Sequence, residues 1–454
     1  MAKIVDMTTG SPFKKIFLFS LPLAIGHVLQ TLYTLADTLI VSLSRGDAVV
    51  TGINLTSSLI YFVNGFAVGL SAGFGIKLSQ FVGAKKPEEM RRSIATSLTL
   101  TLICSLILTL IFFSFAPQIL KLMNTNELFM EHAVSYVRAI FAGILFCSLY
   151  NLSAQIMRAM GDSKTPLFIL IICAILNVLL NSILFITDLD ASWAGWATVI
   201  SQAVSAGVGF IIIFVKYKEV RLNKSHFKFN FSFAGKHLAI GLPMAFQTTI
   251  TALSCMIQQV AFNTLPDPSY AMAQSTASRI DNVFSSLMFG STAAFGVYCG
   301  QNYGANQLDR IKKGVKSAYL IGLIYTAVCM SLNFIFCKPL ASLLLYGAGS
   351  HVMDLVFVYI SIQSSFYYAL CILLYVRESL QGLGKSSLTV LGGLTELAMR
   401  SFACFILAKN FGFIGACCSN ALAWIGGMIC FLVCYKIVIK NMEKRAKTAS
   451  IFCA

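Results

Sequence analysis

Asp37 stands inside the long apolar run LPLAIGHVLQTLYTLADTLIVSL, where a carboxylate at bilayer depth costs at least about 2.5 kcal/mol and therefore asks for a partner or a function. Gln30, Tyr33 and Asp37 fall at i, i+3 and i+7, one helix face. Pro22 and Gly26 precede them and weaken the helix locally. Asn177 and Asn181 are four apart in a second apolar run, and Ala194 and Thr198 are four apart in a third. Four or five oxygens carrying one formal negative charge suit a hard monovalent cation such as Na+ at Asp37. Protonation of Asp37 in the same pocket would serve a proton-coupled cycle. The same residues would equally serve as a hydrogen-bond cluster that only holds helices together.

The elements that must position these groups are membrane helices. The chain has 454 residues, 57% hydrophobic and only 11% Asp, Glu, Lys or Arg, with a mean hydropathy of +0.78. Runs able to cross about 30 Å of hydrocarbon recur at 17–43, 50–76, 94–117, 133–157, 166–187, 192–215, 238–262, 273–300, 315–346, 352–376, 387–408 and 412–437. A re-entrant or interfacial stretch around Pro339 is an open alternative in the ninth. The first and fifth runs head outward and the sixth returns, so Asp37, Asn181 and Thr198 are each expected about 9 Å below the outer boundary.

The formal net charge of +16 reads as topology and not as a nucleic-acid surface, since no polar domain could present one. Lys and Arg concentrate in alternate connections, densest at 216–237, while the other side keeps only Arg45, Lys121, Lys338 and Lys409. Lys3, Lys14 and Lys15 at one terminus and Lys440, Lys444, Arg445 and Lys447 at the other belong to the basic side. Both termini are then expected in the cytoplasm. Most of the fourteen cysteines stand alone in apolar runs and read as small core residues. No cleavable signal is expected.

The chain repeats itself. GLSAGFGIKLSQFVGAKK at 69–86 aligns with GSTAAFGVYCGQNYGANQ at 290–307, an offset of 221 that pairs Gly69 with Gly290, Gln80 with Gln301 and Gly83 with Gly304. LPLA at 21–24 meets LPMA at 242–245 at the same offset. RAMGDSK at 158–164 resembles QGLGK at 381–385. Six is an even number, so the halves are parallel repeats with a substrate cavity expected between them. The expected fold is all-α integral membrane: twelve transmembrane helices in two pseudo-symmetric six-helix bundles. The lobes are 1–215 and 238–454, with a short basic tail on the second and a cytoplasmic linker at 216–237.

The second half does not copy the acidic site. The counterpart of Asn177 is Glu396, with Arg400 one turn on, where an internal ion pair is the plainer reading. Arg279 and Asp281 are two residues apart and point in different directions. Asp281, Glu396 and Arg400 together make a candidate polar site in that lobe, functional or structural. No HExxH, GxSxG or paired His with carboxylates is present, so no enzyme is expected.

Taken in order, the Asp37 segment, the 69–86 motif with its second-half copy, RAMGDSKTP, LNVLLNSILFI and WAGWATVISQ resemble the multidrug and toxic compound extrusion (MATE) family over nearly the whole chain. The resemblance implies a V-shaped pair of bundles, a multi-pass monomer in the plasma membrane. It implies an antiporter that exports amphiphilic, mostly cationic small molecules, antibiotics among them, for Na+ or H+ without a cofactor. By resemblance, Asp37 is the acid of the first helix. Asn177, Asn181, Ala194 and Thr198 match the amino-lobe cation site, with the alanine giving a backbone carbonyl. Asn181 replaces a second aspartate found in some members. The seventh helix lacks the acids that others place in the carboxy lobe. A flippase for lipid-linked saccharides is the nearest rival, with similar lobes but a basic cavity; here Arg138, Arg279 and Arg400 are the intramembrane bases.

Overall fold

A backbone that crosses hydrocarbon must satisfy its own N–H and C=O groups, so the apolar runs fold as helices. The computed structural model describes residues 5–45, 47–123, 125–187, 190, 192–345 and 349–452. Lys3 lies outside the described residues, as do the side chains of Arg45 and Lys447. Among the described residues there are helices and turns and no strand.

The crossings are α1 (Pro12–Arg45), α2 (Asp47–Gly83), α3 (Pro87–Ser114), α4 (Glu127–Ala142 and Ile144–Ala159), α5 (Lys164–Ser182) and α6 (Ser192–Lys216) in the first half. The second half has α7 (Phe231–Asn263), α8 (Pro268–Gly304), α9 (Leu308–Leu344), α10 (Ser350–Ser365 and Tyr367–Gly382), α11 (Ser387–Phe402) and α12 (Ala408–Phe452). The fourth crossing of each half is bent, α4 by 46° and α10 by 47°. At the α4 bend Val199 of α6 packs so closely that a Cβ on Gly143 would lie 2.1 Å from it.

The run Ser387–Arg445 has 59 residues, about 88 Å if straight, far more than one crossing needs. It folds back at Gly412, inside the range given for α12, where a φ of 57° and ψ of −134° belong to a region that only glycine enters freely. The antiparallel return of α12 seats Phe431 against Gly392 and Gly427 against Glu396.

Two stretches take their bounds from local geometry. α9 continues through Pro339 over 37 residues; so close to its last turn the proline removes a single helix bond, to Ile335. The linker is shorter than 216–237, because Asn230 caps α7 by accepting from the Phe233 N–H at 2.8 Å, and the helix starts at Phe231. What remains lies against α3, with Arg91 Nε donating to Glu219 O at 2.8 Å and His226 Nε2 3.1 Å from Glu88 Oε1.

The core is crossed between the halves. At the end carrying the termini, Ile16, Phe19, Leu23 and Ala24 of α1 are buried among α8, α9, α10 and α12. Ala234 and Ala245 of α7 are buried among α2, α3 and α4. Small residues permit this approach: a Cβ on Gly69 of α2 would lie 2.7 Å from Ala245 Cα, and one on Gly290 of α8 would lie 2.5 Å from Ala24 Cα. At the other end each half keeps its own core, Val41 of α1 with α2, α4 and α6, and Phe262 of α7 with α8, α9, α10 and α12.

Among the described residues, inter-lobe hydrogen bonding reaches away from the termini as far as Thr248, whose hydroxyl donates to Gly65 O at 2.8 Å. Beyond it Tyr61 is 58% exposed although Cys255, Arg377 and Arg400 of the opposite lobe lie within electrostatic reach. Surface that is accessible yet faced by the other lobe is the wall of a cleft, closed at the termini end and open at the other.

Candidate cation site

α1, α5 and α6 bring the polar faces together in the half of the amino-terminal lobe that lies away from the termini. Asn181 Nδ2 donates to Asp37 Oδ1 and lies 3.0 Å from the Asn177 amide. One end of that amide is also 3.3 Å from Asp37 Oδ1; the other is 3.2 Å from Thr198 Oγ1 and 3.3 Å from its N–H. With oxygen toward Asn181 the amide accepts its N–H at 3.0 Å; with nitrogen on that side it donates to the carboxylate and accepts from Thr198 but sets the two amide nitrogens 3.0 Å apart, so neither orientation satisfies every contact. The Thr198 hydroxyl also reaches Ala194 O at 3.1 Å.

Each position has a local cause. Asn177 and Asn181 sit one turn apart on the buried face of α5, and both are fully buried. Trp193 ties the start of α6 to the end of α5 by donating its indole N–H to Leu180 O at 2.8 Å, which fixes the register that places Thr198 opposite Asn177. Asp37 is half-buried. Tyr33, a turn earlier on α1, is half-buried, and Tyr136 of α4 is buried in the same lobe. Gln30 is exposed and its side chain joins none of the described hydrogen bonds.

One atom in this cluster lacks a partner: Asn181 Oδ1 is buried and accepts nothing among the described residues. A buried amide oxygen beside a carboxylate is a donor set for a cation. The oxygens of Asp37, Asn177, Asn181 and Thr198, with the Ala194 carbonyl, could surround one small ion or take up a proton at the carboxylate.

In the other lobe Asp281 points from α8 toward α9 and α10. Tyr367 donates its hydroxyl to Asp281 Oδ1, and Asn333 Nδ2 lies 3.3 Å from the same oxygen, 2.8 Å from the Tyr367 hydroxyl and 3.3 Å from Ser364 Oγ. Asn333 Oδ1 is buried without a partner. Sequence reasoning missed Asn333 and Tyr367; a lone Asn in the apolar run CMSLNFIFC was the available signal.

The plain ion pair expected between Glu396 and Arg400 is absent among the described residues. Arg400 instead donates to Ser254 of α7 and, from Nε, to Asn420 of α12 at 3.0 Å. Glu396 Oε1 is left buried without a hydrogen-bond partner among the described residues, because neighbouring helices offer the guanidinium better-placed oxygens than its own helix does. Arg377 and Glu378, adjacent on α10, add an ion pair at 3.5 Å.

The MatE family profile matches residues 22–183 and 243–394, one segment in each half. The chain is 25% identical over 343 residues to the "Probable multidrug resistance protein YoeA" of Bacillus subtilis, covering 74% of each. It is 23% identical over 403 residues to the "FAD transporter" of Shewanella oneidensis, covering 86% of this chain and 87% of the other. A solved structure described as an outward-facing conformation of a multidrug resistance MATE family transporter superposes with a TM-score of 0.90 at 20% identity, covering 97% of this chain and 99% of that one. Its fold is the fold seen here. Family segments in both halves, twelve crossings and crossed lobes lead to one conclusion: the chain belongs to the MatE family of membrane transporters, and is not an enzyme.

Proposed function

We propose that this protein is an antiporter that exports amphiphilic, chiefly cationic drugs or metabolites by alternating access, driven by Na+ or H+ taken up at Asp37. The single observation that carries the reading is the unpartnered, buried Asn181 Oδ1 beside the Asp37 carboxylate. An orphaned oxygen next to a charge is what a site with a variable occupant leaves behind, whereas a helix-holding cluster would satisfy its own members. Asn177, Thr198 and the Ala194 carbonyl complete the donor set.

The cleft wall supports the substrate class. Tyr61 stands exposed on it, and an aromatic face of this kind attracts organic cations, while the abundance of Phe, Tyr and Met suits an adaptable apolar lining. Relatives named for multidrug resistance favour the same class. The rival, a flippase for lipid-linked saccharides, has no support among the relatives named above. The protein acts as a monomer in the plasma membrane with both termini in the cytoplasm, the side its basic connections mark.

The test is transport in proteoliposomes. A cationic fluorescent dye should move against its gradient when Na+ alone or H+ alone supplies the driving force, and should stop when the gradient is dissipated. Dye movement indifferent to both ions would overturn the coupling.

A further inference from the structure

The repeat motif places a glutamine at the same point of both halves, and the structure gives the two glutamines the same work in opposite directions. Gln80 of α2 donates from Nε2 to Gly382 O of the second half at 3.1 Å. Gln301 of α8 donates from Nε2 to Ala159 O of the first half at 2.9 Å. Both side chains are buried. The backbones around them touch: a Cβ on Gly83 would lie 1.8 Å from Gln301 O, and one on Gly304 would lie 1.8 Å from Gln80 O.

Among the described residues the two differ in where their second partner comes from. Gln301 Oε1 accepts from the Met7 N–H at 3.0 Å, while Gln80 Oε1 accepts from its own helix neighbour, Lys77, at 3.2 Å. Met7 belongs to the segment 5–10, which runs between the lobes. On one side the Val5 N–H donates to Gly161 O at 3.0 Å. On the other Arg310 donates to the carbonyls of Met7 at 3.1 Å and of Thr9 and Gly10 at 2.7 Å each. The Met7 side chain is fully buried with α8, α9 and α10.

We propose that Gln80 and Gln301 are positioning residues of the transport cycle, a crossed latch that holds the termini end of the cleft shut, and that segment 5–10 is a strap tightening the Gln301 half of it. Each latch bond joins the two lobes, so the termini end cannot part without breaking both. A glutamine released in that movement meets water, which replaces its partner and makes the latch reversible. The strap adds its own inter-lobe bonds, so the resting protein is biased toward the state open at the far end. Neither glutamine touches the Asp37 cluster. The inference therefore rests on alternating access alone and not on which ion or substrate is carried.

Spin labels at Lys86→Cys and Asp309→Cys, one on each lobe at the termini end and in a background with the exposed Cys255 replaced, report the inter-lobe distance without ion gradient or substrate. Gln80→Leu and Gln301→Leu should each raise the population with a widened distance about fivefold, the effect of about one lost hydrogen bond. Arg310→Ala, which loosens the strap and leaves both glutamines in place, should widen it in the same direction. Distance distributions unchanged in all three variants, at wild-type melting temperature, would overturn the latch. If the Leu variants fail to fold, Arg310→Ala decides: a widened population supports the strap-tightened latch and an unchanged one refutes it.

Discussion

Asn181 on α5 donates its amide to the carboxylate of Asp37 on α1 while its own Oδ1 lies buried with nothing to accept. On the proposed coupling, the relationship ties two helices through a group whose occupancy changes. Binding a cation or a proton at Asp37 would alter what Asn181 must satisfy, and so how tightly α1 is held to α5. A ligand shifts a conformational equilibrium only by the difference in its affinity for the two states, and this contact would supply such a difference.

Asn177 and Thr198 separate the two coupling ions. If Na+ binds, Asn177→Ala and Thr198→Ala remove ligands and should raise the Na+ concentration for half-maximal export by tenfold or more, leaving the pH profile in place. If H+ binds, the same substitutions should move the pH profile and leave no Na+ dependence to lose. Dye export at varied Na+ and pH reads both.

Close packing at Gly290 makes an equally concrete prediction. A Cβ there would meet the Ala24 backbone at 2.5 Å, whereas one on Gly207 of α6 meets nothing within 4 Å. Gly290→Ala should lower thermal stability by about 1–3 kcal/mol through overpacking. Gly207→Ala should leave it level or raise it by about 0.5–1 kcal/mol, since glycine is a poor helix residue. Thermal unfolding in detergent compares the two directly.

Asp162, in the turn between α4 and α5 at the termini end, predicts a stability change with pH. Burial raises its carboxyl, but Lys216, Thr165 and Tyr217 donate to it and together bring it below its ordinary value of 3.8. A depressed carboxyl stabilises the fold above its unfolded value and loses that contribution as pH falls through the folded one. The difference in stability between wild type and Asp162→Asn should therefore be full at pH 7 and should shrink below pH 4. Denaturation curves at the two pH values check it.

Much of this architecture was legible beforehand because apolar runs and an exact offset are local signals. The twelve crossings follow from hydropathy, and the pairing of Gly69 with Gly290 from the repeat. The spacing of Asn177 and Asn181 placed both on one face, and the structure sets that face against Asp37 and Thr198. Gln30 shares the helix face of Asp37 by spacing yet stays out of the cluster. Arg400 misled for the same reason in reverse: its neighbour at i−4 was visible, but Ser254 and Asn420, on α7 and α12, were not. The crossed core could not be read either, since no periodicity reveals that the first half of α1 is buried in the other lobe.

The coupling role of Asp37 is tested most directly by Asp37→Asn in proteoliposomes, measured as dye export under an imposed Na+ or H+ gradient alongside the melting temperature. Removing the charge removes its burial cost, so the variant should fold as well as wild type. Gradient-driven export should fall to the level of liposomes without protein. Export at the wild-type rate by the folded variant would contradict the account and move the search for the coupling group to Asp281 or Glu396.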